Sequence, residues 1–150
     1  MDHVAIMKKS WRLVEKILTG QKKIESRWYV RRCAPWGRIS KKDTVYFKNS
    51  GEPVRIKAEV RRVIQFSDLN PRLVKEVLAL YGKADGIDDI SYFFNLFKNK
   101  RYCILVFLKN VKKVKPFNVN KKGFGSMSAW ISVKSVRRII NNDRIHVPHT

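Results

Sequence analysis

Side chains in the segment from residue 54 to residue 60 alternate strictly between apolar and charged. The apolar positions are Val54, Ile56, Ala58 and Val60, and the positions between them are Arg55, Lys57 and Glu59. Successive side chains of a β-strand point to opposite faces, so this period of two predicts a strand with one face in a core and the other in water. The strand is expected to run to residue 66 and to form a hairpin with residues 43–48 through the turn residues 49–53.

The rest of the chain predicts helices placed between strands. Further strands are expected over residues 3–7, 22–30, 101–108, 111–117 and 129–133. Helices are expected over residues 11–19, 71–81, 88–97 and 133–142, with Ser10 capping the first and Asn70 the second. Residues 31–42 form a basic loop, and the tail after residue 143 is expected to fray. This order predicts one α+β domain over residues 1–150, a mixed barrel with flanking helices.

The charge of the chain is strongly unbalanced. Lysine and arginine number 33 and aspartate and glutamate 12, which gives a formal net charge of +21. Such an excess predicts a polyanionic partner, most simply RNA, because cations that bind phosphates release condensed counterions. An anionic membrane would attract the same charge. However, the sequence has no apolar run of about 20 residues and no basic amphipathic helix, so membrane association is not expected.

The cysteines and histidines do not form a metal-binding pattern. Cys33 and Cys103 are far apart, and His3, His146 and His149 lie near the termini. No metal and no cofactor is therefore expected, and two free thiols without a signal-peptide pattern predict a cytoplasmic protein. The sequence also lacks P-loop, dinucleotide and Ser-His-Asp fingerprints, and its 12 acids form no carboxylate cluster for metal-dependent nuclease chemistry.

A polar cluster is expected where the first helix gives way to an extended segment. Gly20 ends the helical pattern, and Lys22, Glu25 and Arg27 follow on the extended run. Glu25 and Arg27 share one face of a strand, while Lys22 lies opposite unless the chain bends after Gly20. Two interpretations of these side chains follow from the residues alone. They are the recognition groups of a pocket, or Glu25 and Arg27 are an ion pair that closes the end of the barrel.

The motifs, taken in order, resemble the ASCH domain of the PUA-like β-barrel superfamily. They are a helix, the pattern Gly-x-Lys-x-x-Glu-x-Arg at residues 20–27, a strand starting at Asp43, and a long second strand ending in Ala-Glu-Val at residue 60. The resemblance extends from about residue 3 to residue 130 and departs at Lys42, where the family usually has glycine. It implies a PUA-like barrel whose pocket is lined by Lys22, Glu25 and Arg27.

The same resemblance implies that the end of the strand starting at Asp43 reaches this pocket, which makes Asn49 and Ser50 candidate ligand residues. Aromatic and basic residues also interleave over residues 27–38, where the candidates for binding are Trp28, Arg31, Arg32, Trp36 and Arg38. Bases of single-stranded RNA stack on aromatic rings while guanidinium groups bind phosphates. Trp28 is equally compatible with a core position, Trp36 is expected to be exposed or to cover the pocket, and Trp11 and Trp130 are expected in the core.

Two functions are therefore predicted, and whether the chain is an enzyme stays open. The first is an RNA-binding module that recognises single-stranded or unpaired nucleotides, modified ones among them, through a basic pocket at the barrel mouth. The alternative is an amidohydrolase of acylated, acetylcytidine-like nucleosides at the same pocket, as in some ASCH-like proteins. Lys22 would then be the catalytic base and Glu25 its partner, although Glu25 occupies the family's threonine position. The later catalytic acid would be Asp85, Asp88 or Asp89, with Ser50 or a water as the attacking or positioning group.

Overall fold

The structure, a computed structural model, describes residues 1–141 of the chain. Its strands are β1 (Asp2–Met7), β2 (Ile24–Tyr29), β3 (Thr44–Asn49), β4 (Val54–Phe66), β5 (Tyr102–Val119), β6 (Trp130–Val133) and β7 (Ile140–Asn141). Its helices are α1 (Leu13–Leu18), α2 (Pro71–Tyr81) and α3 (Ile90–Phe97), with 3₁₀ turns at Lys9–Trp11 and Val136–Ile139.

One curled sheet forms a half-barrel with the order β2-β5-β4-β3-β1-β6, and β7 pairs with β5. β1 and β3 are parallel, while every other neighbouring pair is antiparallel. β4 and β5 pair directly although α2 and α3 lie between them in sequence. This is the predicted α+β mixed barrel with flanking helices, and the predicted hairpin of β3 and β4 is confirmed by its register.

The apolar run in β5 is buried on both faces of the sheet. Ile104, Val106 and Leu108 belong to the core inside the half-barrel, together with the apolar face of β4. Cys103, Leu105 and Phe107 point the other way, against the apolar residues of α2 and α3. Burial on both faces explains why this strand shows a continuous apolar run, whereas β4, which is wet on one face, alternates.

The predicted start of the first helix is wrong. Residues 9–11 form a 3₁₀ turn, Arg12 adopts a left-handed backbone with φ 55°, and α1 begins only at Leu13. Ser10 lies inside the 3₁₀ turn and does not cap a helix. Because the left-handed residue breaks the helix, Trp11 is turned away from the core in which it was expected. It is half-buried, whereas Trp130 is buried as expected.

β5 is one long strand where two were predicted. The polar residues Lys109 and Asn110 resemble a turn, but Asn110 instead adopts φ 53° within the strand, next to a shift in the β4–β5 register. Asparagine tolerates this left-handed conformation better than most residues. Its Nδ2 donates to Glu59 Oε2 across the pair at 2.9 Å. The local irregularity therefore bends the strand without ending it.

Of the three other predicted helices, the two in the middle of the chain are present and the last one is not. α2 begins at Pro71, as predicted, with Asn70 Oδ1 accepting a hydrogen bond from the Leu73 N–H at 2.9 Å. α3 starts at Ile90, two residues after the predicted start. Within the helix predicted over residues 133–142, the described residues from 136 to 141 form a 3₁₀ turn followed by β7. The predicted fraying after residue 143 lies outside the described residues. Among the helices of residues 1–141, none is both long and apolar enough to cross a membrane.

Candidate functional site

The candidate site lies where the two edges of the half-barrel approach each other. β2 is one edge strand, and the segment before β6 lies beside β1 at the other edge. Arg27 of β2 crosses the gap: its Nη2 donates to the Ile6 carbonyl at 3.3 Å and its Nη1 to the Ala129 carbonyl at 3.2 Å. The guanidinium also lies 5.2 Å from the centroid of the Trp130 ring. Arg27 therefore ties the two sheet edges together.

Glu25 holds this arginine in place. Its Oε2 accepts hydrogen bonds from Arg27 Nε at 3.2 Å and Nη2 at 2.9 Å. Its Oε1 accepts from the Ser26 N–H at 3.1 Å and lies 3.2 Å from Lys22 Nζ. The carboxylate is thus buried, at 3% exposure, with donors on both oxygens. This geometry matches the second interpretation, in which Glu25 and Arg27 form an ion pair at the end of the barrel.

Lys22 lies beneath the site, 1% exposed. The chain bends after Gly20, which has φ 81°, and the Lys22 N–H donates to the Lys16 carbonyl at 2.9 Å. Nζ reaches the Asp85 carbonyl at 2.6 Å, Asp85 Oδ1 at 2.5 Å and Glu25 Oε1 at 3.2 Å. The ammonium thus donates two hydrogen bonds to Asp85 and lies at ion-pair distance from Glu25. Lys22 is therefore a buried cation that neutralises two carboxylates.

Asp85 is the acid of this cluster. It follows α2, 63 residues after Lys22 in sequence, and burial raises the pKa of its carboxyl while the ammonium of Lys22 opposes the rise. Its Oδ2 accepts from the Ser26 hydroxyl at 2.5 Å. The two other acids proposed for this role lie elsewhere: Asp88 pairs with Lys16 at the surface, and Asp89 caps α3.

Ser26 connects the buried cluster to an open cleft and was not predicted as a site residue. Its hydroxyl donates to Asp85 and accepts from Trp28 Nε1 at 3.0 Å. The available signal was the alternation along β2, which places Ser26 and Trp28 on one face and Glu25 and Arg27 on the other. The Ser26 hydroxyl thus lies one residue after Glu25, which occupies the position where some ASCH-like proteins have threonine.

The cleft has a volume of about 270 Å³. Its polar floor is formed by Glu25, Ser26 and Arg27, with Lys8 beside them. Its aromatic walls are Trp11, Trp28, Tyr29 and Phe97. A deeper recess of about 30 Å³ continues from it to Lys22 and Asp85. The cleft is thus slightly smaller than the volume of about 300 Å³ at which pockets for drug-sized ligands begin.

The free edge of β2 adds backbone groups to the cleft. The Leu108 N–H donates to the Lys23 carbonyl at 2.9 Å, so the odd-numbered residues of β2 bond to β5. The even-numbered residues face away from β5, and the Ser26 N–H accordingly donates to the Glu25 side chain. By the same alternation the Trp28 N–H and the Ser26 carbonyl face the free edge. A donor and an acceptor of the backbone therefore line the cleft.

Comparison with solved structures decides the fold. An ASCH protein from Zymomonas mobilis matches with a TM-score of 0.67 at 13% identity, covering 91% of each chain. Its tyrosine-to-phenylalanine mutant matches with 0.67 at 14%, covering 91% of this chain and 93% of that one, and its serine-to-alanine mutant with 0.68 at 14%, covering 91% of each. The chain has the ASCH fold. No protein-family model and no curated protein matches its sequence.

Within the ASCH fold, the structure brings four predicted site residues together. Glu25, Arg27 and Trp28 line the cleft, and Lys22 lies in the recess beneath it. Trp28 is only 7% exposed and stacks on Phe97 with ring centroids 4.8 Å apart and planes 7° apart. It thus forms a wall of the cleft rather than an exposed platform.

The basic loop of residues 31–42 lies outside the cleft. Trp36 is half-buried and packs edge-on against Tyr102, with centroids 5.2 Å apart. The Arg32 guanidinium lies 5.4 Å from the Trp36 ring and 5.3 Å from the Tyr102 ring. Arg31 and Arg38 are exposed. None of these loop side chains lines the cleft, so Trp36 does not cover it.

Asn49 and Ser50 also lie beside the cleft rather than in it. Asn49 pairs with Met7, which does line the cleft, and its Nδ2 donates to Glu52 Oε1 at 3.0 Å. Asn49 Oδ1 is buried and has no hydrogen-bond partner among the described residues. Ser50 is exposed, and its N–H donates to the Met7 carbonyl at 2.9 Å.

A Ser-His-Asp chain exists in the structure although the sequence shows no such fingerprint. His3 is fully buried, with Nε2 2.8 Å from Asp43 Oδ2 and Nδ1 2.9 Å from Ser132 Oγ. Trp130 Nε1 donates to the same Nδ1 at 3.1 Å, and burial lowers the pKa of His3. None of these side chains lines the cleft. The chain links β1 and β6 to the residue that precedes β3.

The described residues contain no cluster for a metal ion. Within residues 1–141, no group of three or more histidine, cysteine, aspartate or glutamate side chains is arranged to hold one. The two carboxylates near Lys22 are instead neutralised by that lysine and by Arg27.

Proposed function

We propose that this chain is an RNA-binding module that takes one unpaired nucleotide into the cleft at the free edge of β2. The observation that carries the proposal is the arrangement of the cleft. Aromatic rings wall a space of nucleoside size over a floor formed by Arg27 and Ser26. Bases of single strands are recognised by this combination of stacking and directed hydrogen bonds.

The charge of the chain supports a nucleic-acid ligand over a neutral metabolite. The formal net charge is +21, and the cleft itself is bordered by Lys8, whose Nζ lies 5.2 Å from the Trp11 ring. A phosphate attached to a bound nucleoside would meet this ammonium at the mouth. The exposed Arg31 and Arg38, with Arg32 and Trp36, are proposed to contact flanking nucleotides on the basic loop.

The groups that would read a base are few. Four groups of the cleft retain hydrogen-bonding capacity: one N–H of Arg27 Nη1, a lone pair of the Ser26 hydroxyl, the Trp28 backbone N–H and the Ser26 backbone carbonyl. Glu25 and Lys22 have their hydrogen-bonding capacity taken up by one another, by Arg27 and by Asp85. They are therefore proposed to position the recognition groups. Asn49 and Ser50 would act from beside the cleft, through Met7.

An unpaired nucleotide fits this cleft better than a base pair. A base within a duplex would have to leave the stack to enter it, at a cost of a few kcal/mol. A single strand or a loop presents its bases already unstacked. We therefore expect single-stranded RNA to bind more tightly than a duplex of the same sequence.

Trp11→Ala is the direct test of the cleft. The substitution removes a ring from the wall, and loss of one stacked base contact costs about 1–3 kcal/mol, so affinity for single-stranded RNA should fall by about 5-fold to 150-fold. Fluorescence anisotropy with a labelled oligonucleotide would measure it. Trp11 is half-buried outside the apolar cores, so the fold should be retained.

Two variants serve as controls for this test. Trp11→Phe keeps an aromatic face and should retain most of the affinity. Leu80→Ala removes a large side chain that is 76% exposed on α2, away from the cleft, and should change nothing. Equal affinities for wild type and Trp11→Ala would reject the cleft as the RNA site.

A second candidate function, hydrolysis of acylated nucleosides, is favoured by one observation. The Ser26 hydroxyl lines the cleft and donates to Asp85, whose pKa burial raises. Asp85 would take the hydroxyl proton while Oγ attacks the acyl carbon, and the departing amine would receive that proton as the carbon–nitrogen bond breaks. Water would then release the acid from the serine ester. Lys22 would stabilise Asp85 rather than act as the base, because its ammonium is held between the carboxylates of Asp85 and Glu25.

Ser26→Ala separates the two functions. A hydrolase would convert acetylcytidine into cytidine and acetate, and the variant would lose turnover by orders of magnitude with substrate binding largely kept. A binding module would show no turnover in either form. Chromatography of the products decides between them, and Lys23→Ala, at an exposed neighbouring position, is the matched control.

A further inference from the structure

A second basic site lies on the water-facing side of the sheet. A groove of about 230 Å³ runs over β3, β4 and β5. It is lined by Lys42, Thr44, Lys57, Ala58, Glu59, Asn110 and Lys112. It shares no residue with the cleft at the edge of β2. Three lysines in one recess make it a strongly cationic part of this surface.

Two of these lysines face each other directly. Lys57 of β4 and Lys112 of β5 are register partners, so their side chains leave the same face of the sheet side by side. Like charges placed opposite each other destabilise a strand pair. Within residues 1–141 neither ammonium makes an ion pair that would offset this repulsion.

The one acid of the groove is already engaged. Glu59 Oε2 accepts from Asn110 Nδ2 at 2.9 Å, and its Oε1 lies 4.0 Å from Lys109 Nζ. Glu59 therefore compensates a lysine outside the groove. The groove therefore holds three lysines against this one acid, and none of the three makes an ion pair within residues 1–141.

The third lysine, Lys42, has an unfavourable backbone conformation. Lys42 has φ 78°, in the left-handed region that glycine adopts freely and lysine does not. Its N–H donates to the Val60 carbonyl at 2.9 Å, which fixes the conformation at the start of β3. A cation is thus placed beside Lys57 and Lys112 at a position where a glycine would fit the backbone better.

We propose that this groove binds the phosphate backbone of RNA, as a contact additional to the cleft. The proposal rests on the RNA-binding function proposed above. The groove offers three ammonium groups and no aromatic ring, so it can neutralise phosphates but cannot stack bases. It would hold a strand regardless of sequence, while the cleft reads one nucleotide. Bound phosphates would also relieve the repulsion between Lys57 and Lys112.

The double variant Lys57→Gln/Lys112→Gln tests the groove. Each phosphate contact contributes about 0.7 to the slope of log affinity against log salt for a single strand, or roughly 5-fold in affinity at about 0.1 M salt. We therefore expect affinity for an RNA of about 16 nucleotides, the upper site size of single-strand binding folds, to fall roughly 25-fold. The slope should fall by about 1.4. The loss should be the same for oligouridine and oligoadenosine.

Two further variants keep the test independent of folding and of net charge. Lys42→Gly removes one cation while relieving the left-handed backbone, so affinity should fall roughly 5-fold with no loss of thermal stability. Lys75→Gln/Lys83→Gln removes two exposed lysines outside the groove and the cleft and should weaken binding far less than the groove pair.

The outcomes separate this inference from the proposed function. If wild type binds RNA and the groove pair behaves like the Lys75/Lys83 control, the groove inference is overturned and the cleft stands. If wild type binds no RNA, both are overturned. If the groove pair loses binding to anionic phosphatidylglycerol vesicles but keeps its RNA affinity, the inference is also overturned, because the groove then serves lipid phosphates.

Discussion

Replacing Lys22 by methionine is expected to destabilise the fold by about 3–5 kcal/mol. The substitution leaves Asp85 without its ammonium and Glu25 with only Arg27, and both carboxylates are buried. A buried charge whose partner is removed retains its desolvation cost without the compensating attraction. Urea denaturation at neutral pH, followed by circular dichroism, would measure the free energy of unfolding.

The matched control is Lys23→Met, one residue away at an exposed position. It should change the free energy of unfolding by no more than about 0.5 kcal/mol. Equal effects at the two positions would contradict the description of Lys22 as the central cation of the cluster.

The penalty for Lys22→Met should also depend on pH. Burial already raises the pKa of Asp85, and removing the ammonium removes the attraction that opposes the rise. A carboxyl whose pKa is higher in the folded state than in the unfolded state takes up a proton on folding. Its contribution is therefore favourable at acid pH and lost as the pH rises through the folded-state pKa. The free energy of unfolding of the variant should be closest to that of wild type near pH 4, about the pKa of an unfolded aspartate. The difference should be largest at neutral pH.

Replacing Arg27 by alanine is expected to destabilise the protein by about 2–4 kcal/mol and to loosen the barrel edge. The change leaves Glu25 Oε2 without its guanidinium and removes the donors to the Ile6 and Ala129 carbonyls. Urea denaturation would measure the loss, and amide hydrogen exchange should become faster in β1 and β6.

Two comparisons define the role of Arg27. Arg27→Lys keeps the charge but cannot span Glu25 and both carbonyls, so we expect it to recover only part of the stability. Arg31→Ala removes an exposed arginine of the basic loop and should leave both stability and exchange unchanged. Unchanged exchange at β1 and β6 in Arg27→Ala would contradict a role in closing the half-barrel.

Local sequence patterns predicted much of the fold, because they are clear wherever a strand face or a helix start requires particular residue types. The alternation along β4 identifies a strand with one wet face, and Asn70 followed by Pro71 identifies the start of α2. The pattern at residues 20–27 predicted the polar cluster, and the bend after Gly20 that it requires is present. The ASCH fold itself was predicted from the order of these motifs and is confirmed by the solved structures.

Features that depend on contacts distant in sequence could not be predicted from local patterns. Asp85 contacts Lys22 although 63 residues separate them in sequence. The sequence therefore could not distinguish Asp85 from Asp88 and Asp89 as the acid beside Lys22. The left-handed backbone of Arg12, next to Trp11 of the cleft, has no signal in the arginine side chain. The basic groove needs the register of β4 against β5, including the irregularity at Asn110, before Lys57 and Lys112 become neighbours.

The arrangement of the cluster is the reason for proposing binding ahead of catalysis. The predicted reactive residues, Lys22 and Glu25, have their hydrogen-bonding groups occupied within the protein. The groups that remain available, Ser26 and the edge of β2, are suited to hold a base between aromatic walls. Ser26 beside Asp85 is the feature that keeps hydrolysis as the second candidate.

The most direct test of the central claim is a titration of the wild-type chain with single-stranded RNA at several salt concentrations. We predict tight binding at about 0.1 M salt, weaker binding to a duplex of the same sequence, and an affinity that falls linearly with the logarithm of salt concentration. The Trp11→Ala variant should lose affinity at every salt concentration, because stacking does not depend on counterion release. Absence of tight RNA binding at about 0.1 M salt, with or without binding to anionic vesicles, would contradict the account.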